Sequence, residues 1–288
     1  MFTVSARVLE YCQRSPDRMA WLARLPHAIA QLEERWQLSI GERFDGEGDA
    51  SWVAPAVRRD GSPGVLKLGM PHMEAEHEAD GLRFWNGDPT VRLLEADDSL
   101  GAMLLERCEP GTPLLELPEL EQDIVLGELS ERLWKTPPAG HPFRALSSMI
   151  EQWIGETLAH RAEWADEALV REGIEVFREL VNSEPAAVLL ATDLHAGNVL
   201  RARREPWLVI DPKPFVGDPA YDATQHLLNC HRRVGFDPLG TVARYADHMN
   251  VDADRVRRWL FARLSAQPRE DWTKDRWLGV ARAIARTV

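Results

Sequence analysis

The sequence predicts a bilobal α+β chain, with a small sheet-rich N-terminal lobe at 1–107 and a larger helical lobe at 108–288. Three observations carry that prediction. Short apolar runs separated by Gly and Pro turns fill the chain to about residue 105 once a leading helical stretch is past. The segment Cys108-Glu109-Pro110-Gly111-Thr112-Pro113 reads as a linker. Beyond it helical periodicity dominates, interrupted by one strand-rich island at about Val188 to Ile210.

Taken in order, Ser5 to Trp36 has apolar residues such as Leu22, Leu25, Ile29 and Leu32 three or four apart, which predicts helix, with Pro26 breaking or beginning a segment. From Ser39 the texture shortens. Ser51–Val57 and Val65–Leu68 read as strands around the turn Asp60-Gly61-Ser62-Pro63-Gly64. Glu74–Trp85 is predicted to be a helix, and Val91–Leu94 and Ala102–Leu105 two further strands. In the second lobe helices are expected at Leu120–Leu133, Leu146–Ala165 and Glu167–Val181, and again from Tyr221 onward. The cleft of such a bilobal plan is where a ligand is expected.

The composition bounds the function. The chain has 288 residues, 44% hydrophobic and 28% charged, which suits a globular protein with a sizeable core. A net charge of −12 repels nucleic acid and anionic membrane and attracts cations, although solubility alone also accounts for it. Cys12, Cys108 and Cys230 form no CxxC pair and are odd in number, which argues against a zinc site or a disulfide framework and fits a reducing cytoplasm. The N-terminus meets charge early and no long apolar stretch follows, so neither a signal peptide nor a membrane span is expected.

The chemistry concentrates in Asp193-Leu194-His195-Ala196-Gly197-Asn198-Val199-Leu200 and in Trp207-Leu208-Val209-Ile210-Asp211. Val199–Ala202 and Trp207–Ile210 flank the polar turn Arg203-Arg204-Glu205-Pro206 and predict a hairpin. The start of its first strand lies beside the end of its second, so Asn198 and Asp211 are expected to share one metal ion, with Asp193 in the loop entering that end. Two acids and an amide oxygen suit Mg²⁺, a hard cation that takes its remaining ligands from phosphates and water. The spacing matches kinase catalytic loops, in which a base Asp precedes a magnesium-binding Asn by five residues and a second magnesium-binding Asp follows. An Asx-rich turn beside a hairpin is the bland alternative.

A second signal lies upstream. Lys67 stands in the apolar run Val65-Leu66-Lys67-Leu68, where a lone charge is costly unless paired or bound to an anion. Glu74, Glu76 and Glu78 follow on the predicted helix. Glu78 is the expected partner, because it precedes Leu82 and Trp85 at helical spacing. Kinases use such a pair to clamp ATP phosphates. The turn Asp45-Gly46-Glu47-Gly48 is either a phosphate cover or a plain hairpin turn.

These residues resemble the aminoglycoside/hydroxyurea antibiotic-resistance kinases, the family of streptomycin 6-phosphotransferase. The resemblance runs from Thr192 to Asp222 through Asp193–Arg201, Ile210-Asp211-Pro212-Lys213-Pro214 and Gly217-Asp218-Pro219-Ala220-Tyr221-Asp222. It extends to Glu74–Asp80 and Leu105–Pro113, and so touches both lobes. It implies a protein-kinase-like (aminoglycoside phosphotransferase) fold and an ATP- and Mg²⁺-dependent enzyme that phosphorylates a hydroxyl of a small molecule, an aminoglycoside such as streptomycin first among them. Asp193 is then the catalytic base or the residue that orients the acceptor hydroxyl. Asn198 and Asp211 bind Mg²⁺, and Lys67 with Glu78 clamps the phosphates. The backbone of Glu106, Arg107, Cys108 and Glu109 reads adenine, while Asp218 and Asp222 brace the catalytic loop. The family usually reads His-Gly-Asp where this chain has Ala191-Thr192-Asp193, so the histidine that normally braces the loop is missing. His195 is expected to pack the loop rather than act as a base.

The acidic run Glu109, Glu116, Glu119, Glu121, Asp123, Glu128 and Glu131 has no Lys or Arg between its ends and suits either a cationic substrate or a solvated helix face. Alternatives stay open: a choline- or sugar-type kinase, a hydroxyurea kinase, or a non-catalytic nucleotide-binding pseudokinase. A monomer or weak dimer is expected, with neither nucleic acid nor membrane as partner.

Overall fold

The computed structural model describes residues 4–44, 50–183, 187–269 and 277–285. The turn read at Asp45–Gly48 lies outside them. The chain folds into two compact units, Met1–Gly111 with Arg201–Leu208, and Thr112–Leu200 with Val209–Val288.

The first unit opens with α1 (Ala6–Cys12), whose first turn is capped by the Ser5 hydroxyl accepting from Val8 N, and α2 (Pro16–Arg35). The helical stretch breaks at 13–15, just before Pro16, which takes a first-turn position where its missing N–H is not needed. Pro26, expected to interrupt helix, lies inside α2; tertiary packing holds the helix through it, because Trp21, Leu25, Ala28 and Leu32 are all buried along one side. Five strands follow, β1 (Leu38–Ile40), β2 (Ser51–Arg58), β3 (Pro63–Gly69), β4 (Leu93–Asp97) and β5 (Ala102–Glu106), with α3 (Glu78–Trp85) between β3 and β4. The sheet is antiparallel in the order β1-β2-β3-β5-β4. Trp52, Ala54 and Ala56 of β2 are buried at every second position, as the strand period requires, and join Leu66, Leu68 and Leu104 against the α2 stripe. Each such large side chain contributes roughly 1.5–3 kcal/mol of burial.

Two further elements of the first unit differ from the sequence reading. The helix expected from Glu74 starts at Glu78, preceded by a separate tight turn at Met73–Ala75 that follows Pro71. The strand expected at Val91–Leu94 is displaced to Leu93–Asp97, and Arg92 N is instead bonded to the Glu106 carboxylate at 3.0 Å.

The second unit contains α4 (Glu119–Leu133), α5 (Leu146–Ala159), α6 (Glu167–Asn182), α7 (Pro219–Asn229), α8 (His231–Phe236), α9 (Pro238–His248), α10 (Ala253–Ala266) and α11 (Leu278–Ala285). The α5 helix ends at Ala159 rather than Ala165, giving way to a tight turn at Arg161–Glu163. Trp153, Phe177, Tyr221 and Trp259 form an aromatic cluster with centroid separations of 5.3–6.4 Å. Helices α6 and α10 approach closely at Gly173, where a Cβ would lie 2.1 Å from the Ser265 hydroxyl oxygen. Among the short strands, β6 (Val188–Leu190) pairs with β9 (Phe215–Gly217) in this unit, and β7 (Val199–Arg201) pairs with β8 (Trp207–Val209) in a hairpin whose tip, Arg201–Leu208, belongs to the first unit. Among the described residues no helix is long and apolar enough to cross a membrane.

Candidate active site

In the first unit, the strand period turns Leu66 and Leu68 into the core and Lys67 to the opposite face of β3. Lys67 is nevertheless only 6% exposed, and Glu78, the first residue of α3, only 3%. The ammonium lies 2.6 Å from each carboxylate oxygen of Glu78. A helix N-terminus is the favourable place for that carboxylate. Glu74 sits in the preceding turn and Glu76 is exposed.

The stretch after β5 is fixed at its start. Glu106 N donates to Arg92 O at 2.8 Å. The Glu106 carboxylate takes two bonds from Arg204, from Nε and Nη2, each 2.9 Å. Burial alone would raise the Glu106 carboxyl, but Arg204 and the Arg92 N–H hold it below its ordinary value. Arg204 also donates to the carbonyls of Gly87 and Thr90, at 2.8 and 3.0 Å. Burial pushes the Cys108 thiol up to about 12, so it is inert. Glu109 lies 3.3 Å from Arg203.

In the second unit, the structure brings Asp193, Asn198 and Asp211 together. The Asn198 amide nitrogen donates to Asp193 Oδ2 and to its carbonyl, both at 3.1 Å, which leaves Oδ1 as the acceptor of that side chain. The hairpin ladder continues past β8 through Ile210 N to Asn198 O at 2.9 Å, placing Asp211 beside Asn198. Burial pushes the Asp193 carboxyl above its ordinary value, with His195 and Lys213 opposing that shift and Asp211 adding to it. His195 Nδ1 accepts from Gly197 N at 3.0 Å, so the proton sits on Nε2, 3.7 Å from Asp193 Oδ1. Burial lowers the affinity of His195 for a second proton.

Asp211 adopts a left-handed φ of 52° and its carboxylate is bonded to Lys213 Nζ. Left-handed backbone at a non-glycine costs energy and recurs at functional sites. Asn198 Oδ1 and the Asp211 carboxylate are hard oxygen donors of the kind magnesium selects, and the Lys213 contact marks the Asp211 oxygens as a cation position. Among the described residues no group of three or more His, Cys, Asp or Glu could hold a metal ion, so a cation here would need further oxygens from elsewhere.

The loop is held from behind by α7. Asp222 Oδ2 accepts from Ala191 N at 3.0 Å and from Trp134 Nε1 at 3.0 Å, and Oδ1 accepts from Thr192 N at 2.7 Å. Thr192, at a left-handed φ of 46°, donates its hydroxyl to Lys213 O at 2.6 Å. These bonds brace the loop from Ala191 to Asp193. Asp218 caps α7 through Ala220 N, accepts from Trp259 Nε1 at 2.5 Å and pairs with Arg255. One turn along α7 from Asp222, Gln225 donates its amide to Asp193 Oδ1 at 2.8 Å, and Arg263 Nη2 donates to the Gln225 oxygen at 2.6 Å. Neither Gln225 nor Arg263 was expected at the site. Arg263 carried a readable signal, because it is a lone charge in the run Leu260-Phe261-Ala262-Arg263-Leu264.

The acidic run is partly committed. Asp123 is fully buried and paired with Arg233 and His226, and Glu119 lies 3.2 Å from Arg233.

The chain matches the model of the aminoglycoside/hydroxyurea antibiotic resistance kinases over residues 35–271. It belongs to this family. A streptomycin 6-kinase of Streptomyces glaucescens is 39% identical over 267 residues, covering 86% of this chain and 83% of that protein. A hydroxyurea phosphotransferase of Kitasatospora aureofaciens is 36% identical over 252 residues, covering 83% of this chain and 71% of that protein. The fold of this antibiotic resistance kinase is shared with the choline kinase LicA from Streptococcus pneumoniae at a TM-score of 0.64 and 12% identity, over 90% of this chain and 99% of that one. The kinase family places the chain among phosphotransferases that use a nucleotide and act on hydroxyl groups of small molecules.

Proposed function

We propose that this kinase transfers the γ-phosphoryl group of ATP, with magnesium, to a hydroxyl of an aminoglycoside, and that streptomycin is its first candidate substrate. The observation that carries the reading is the half-buried Asp193 carboxylate, held by Asn198 Nδ2 and seated beside Asp211. Bound Mg·ATP supplies the transferable phosphoryl group and the divalent charge that offsets its oxygens. Lys67, oriented by Glu78, neutralises phosphate oxygens. Asn198 and Asp211 offer oxygens to the metal. With the Glu106 N–H committed to Arg92 O, reading of the adenine edge falls to the backbone of Arg107–Glu109. Asp193 accepts a hydrogen bond from the substrate hydroxyl, orients it for in-line attack and takes its proton late.

The test is Asp193→Asn. Mg·ATP affinity should be retained while ATP-dependent phosphorylation of streptomycin falls by about 10²–10⁴-fold, the usual worth of a general base. Near-wild-type turnover would remove Asp193 from the role. A second reading, hydroxyurea as acceptor, is favoured by the 36%-identical hydroxyurea phosphotransferase and by the commitment of Asp123 and Glu119 to Arg233, which leaves fewer carboxylates for a polycation. A panel of both acceptors, with product mass reporting one added phosphoryl group, decides between them. Binding of Mg·ATP with no turnover of any acceptor would favour the pseudokinase reading.

A further inference from the structure

We propose that Gln225, locked by Arg263, is a positioning residue that holds the Asp193 carboxylate in its working orientation. The proposal rests on the reading of Asp193 as the acceptor of the substrate hydroxyl proton. A carboxylate on a loop rotates easily about its last side-chain bond unless both oxygens are held. Here they are held from two different elements. Asn198, at the hairpin entrance, donates to Oδ2 at 3.1 Å, and Gln225, on α7, donates to Oδ1 at 2.8 Å.

A glutamine amide can present either its NH₂ or its oxygen, and only the NH₂ can hold a carboxylate. Arg263 decides which. Its guanidinium is donor-only and its Nη2 lies 2.6 Å from Gln225 Oε1, so the oxygen end is claimed and the NH₂ end faces Asp193. Arg263 is itself immobilised. It is 4% exposed, donates through Nη1 to Thr224 Oγ1 at 2.7 Å, and lies over the rings of Tyr221 and Trp153 at 4.9 and 5.8 Å. The relay runs from the α10 helix through α7 to the loop, with a neutral donor at its end. A neutral donor orients the carboxylate without cancelling its charge, as a directly paired arginine would. Asp222 and Gln225 lie one turn apart on α7, the first bonded to the loop backbone and the second to the acid that the loop carries.

Two variants test the role. Gln225→Leu removes the donor. Gln225→Glu keeps the shape and the Arg263 contact but turns an oxygen toward Asp193, so it tests the same bond where the first variant fails to fold. Both are expected to lower kcat by about tenfold to a hundredfold, the scale of a small misplacement of a reacting group. KM for ATP and for the acceptor should change little. In an Asp193→Asn background, Gln225→Leu should add almost nothing, because the two residues act as one unit. An activity-free measurement runs alongside. The side-chain amide protons of Gln225, assigned by their absence in Gln225→Leu, should include one strongly downfield signal that moves upfield in Asp193→Ala. An unchanged signal in Asp193→Ala overturns the proposal whatever the turnover. Unchanged kcat in both Gln225 variants, or full additivity with Asp193→Asn, overturns the positioning role while leaving the phosphotransferase reading intact. An intact amide response in a wild-type protein that phosphorylates no acceptor overturns that reading and leaves the hydrogen bond standing.

Discussion

Lys67 Nζ lies 2.6 Å from both oxygens of Glu78, and the two residues are 6% and 3% exposed. Truncating one partner of so buried a pair removes a counter-charge 2.6 Å from the other, and breaking a buried pair typically costs about 3–5 kcal/mol. Glu78→Leu should therefore lower the urea midpoint and weaken ATP binding together. Lys67→Met combined with Glu78→Leu should recover most of the stability while ATP binding stays lost. Calorimetric binding and urea unfolding on the same three proteins check this. Recovery of ATP affinity in the double variant would show that the pair has no phosphate role.

The Glu106–Arg204 pair makes stability depend on pH with a definite sign. The folded state holds the Glu106 carboxyl below its ordinary value, so the stabilisation is present above the unfolded carboxyl pKa and is lost as pH falls through the folded one. Glu106→Gln should cost about 1.5–3 kcal/mol near neutrality, the range for hydrogen bonds to charged groups, and less below pH 4. Urea titrations of both proteins at pH 7 and pH 3.5 measure the difference. A cost that grows toward acid would contradict it.

Thr192 combines a β-branched side chain with a φ of 46°. Thr192→Gly relieves the backbone but loses the hydroxyl bond to Lys213 O, and Thr192→Val loses the bond and keeps the strain. Valine should be the less stable variant by about 1–2 kcal/mol. Thermal melts rank them, and equal midpoints would mean that the loop carries no strain there.

Asp211→Ala removes the carboxylate that follows the β7–β8 hairpin ladder, beside Asn198. The magnesium concentration needed for half-maximal transfer should rise at least about tenfold, the scale of losing a charged ligand contact of ~1.4 kcal/mol. An unchanged magnesium titration would reassign the metal.

Much of this was legible in the residues. Lys67 stood out as a lone charge in an apolar run, and the Asn198–Asp211 juxtaposition followed from the hairpin alone. The same lone-charge logic applied to Arg263, but its meaning depended on Gln225, a residue type ordinary on any helix face. The acidic run stayed ambiguous for a related reason. Spacing on α4 places Asp123, yet only the fold reveals Arg233 waiting for it. The start of α3 escaped because helix propensity does not distinguish a tight turn at Met73–Ala75 from a first helical turn.

The tip of the β7–β8 hairpin folds with the first unit, where Arg204 secures Glu106 and the carbonyls of Gly87 and Thr90. A single crossover between Gly111 and Thr112, joining the front of one relative to the back of another, therefore does not exchange intact modules. It parts this chain's Arg204 from its own Glu106, Gly87 and Thr90. Chimeras of this family should survive such a splice only when the 201–208 segment travels with the front half, so recombination would inherit the two stretches as a linked pair even though they are far apart in the gene.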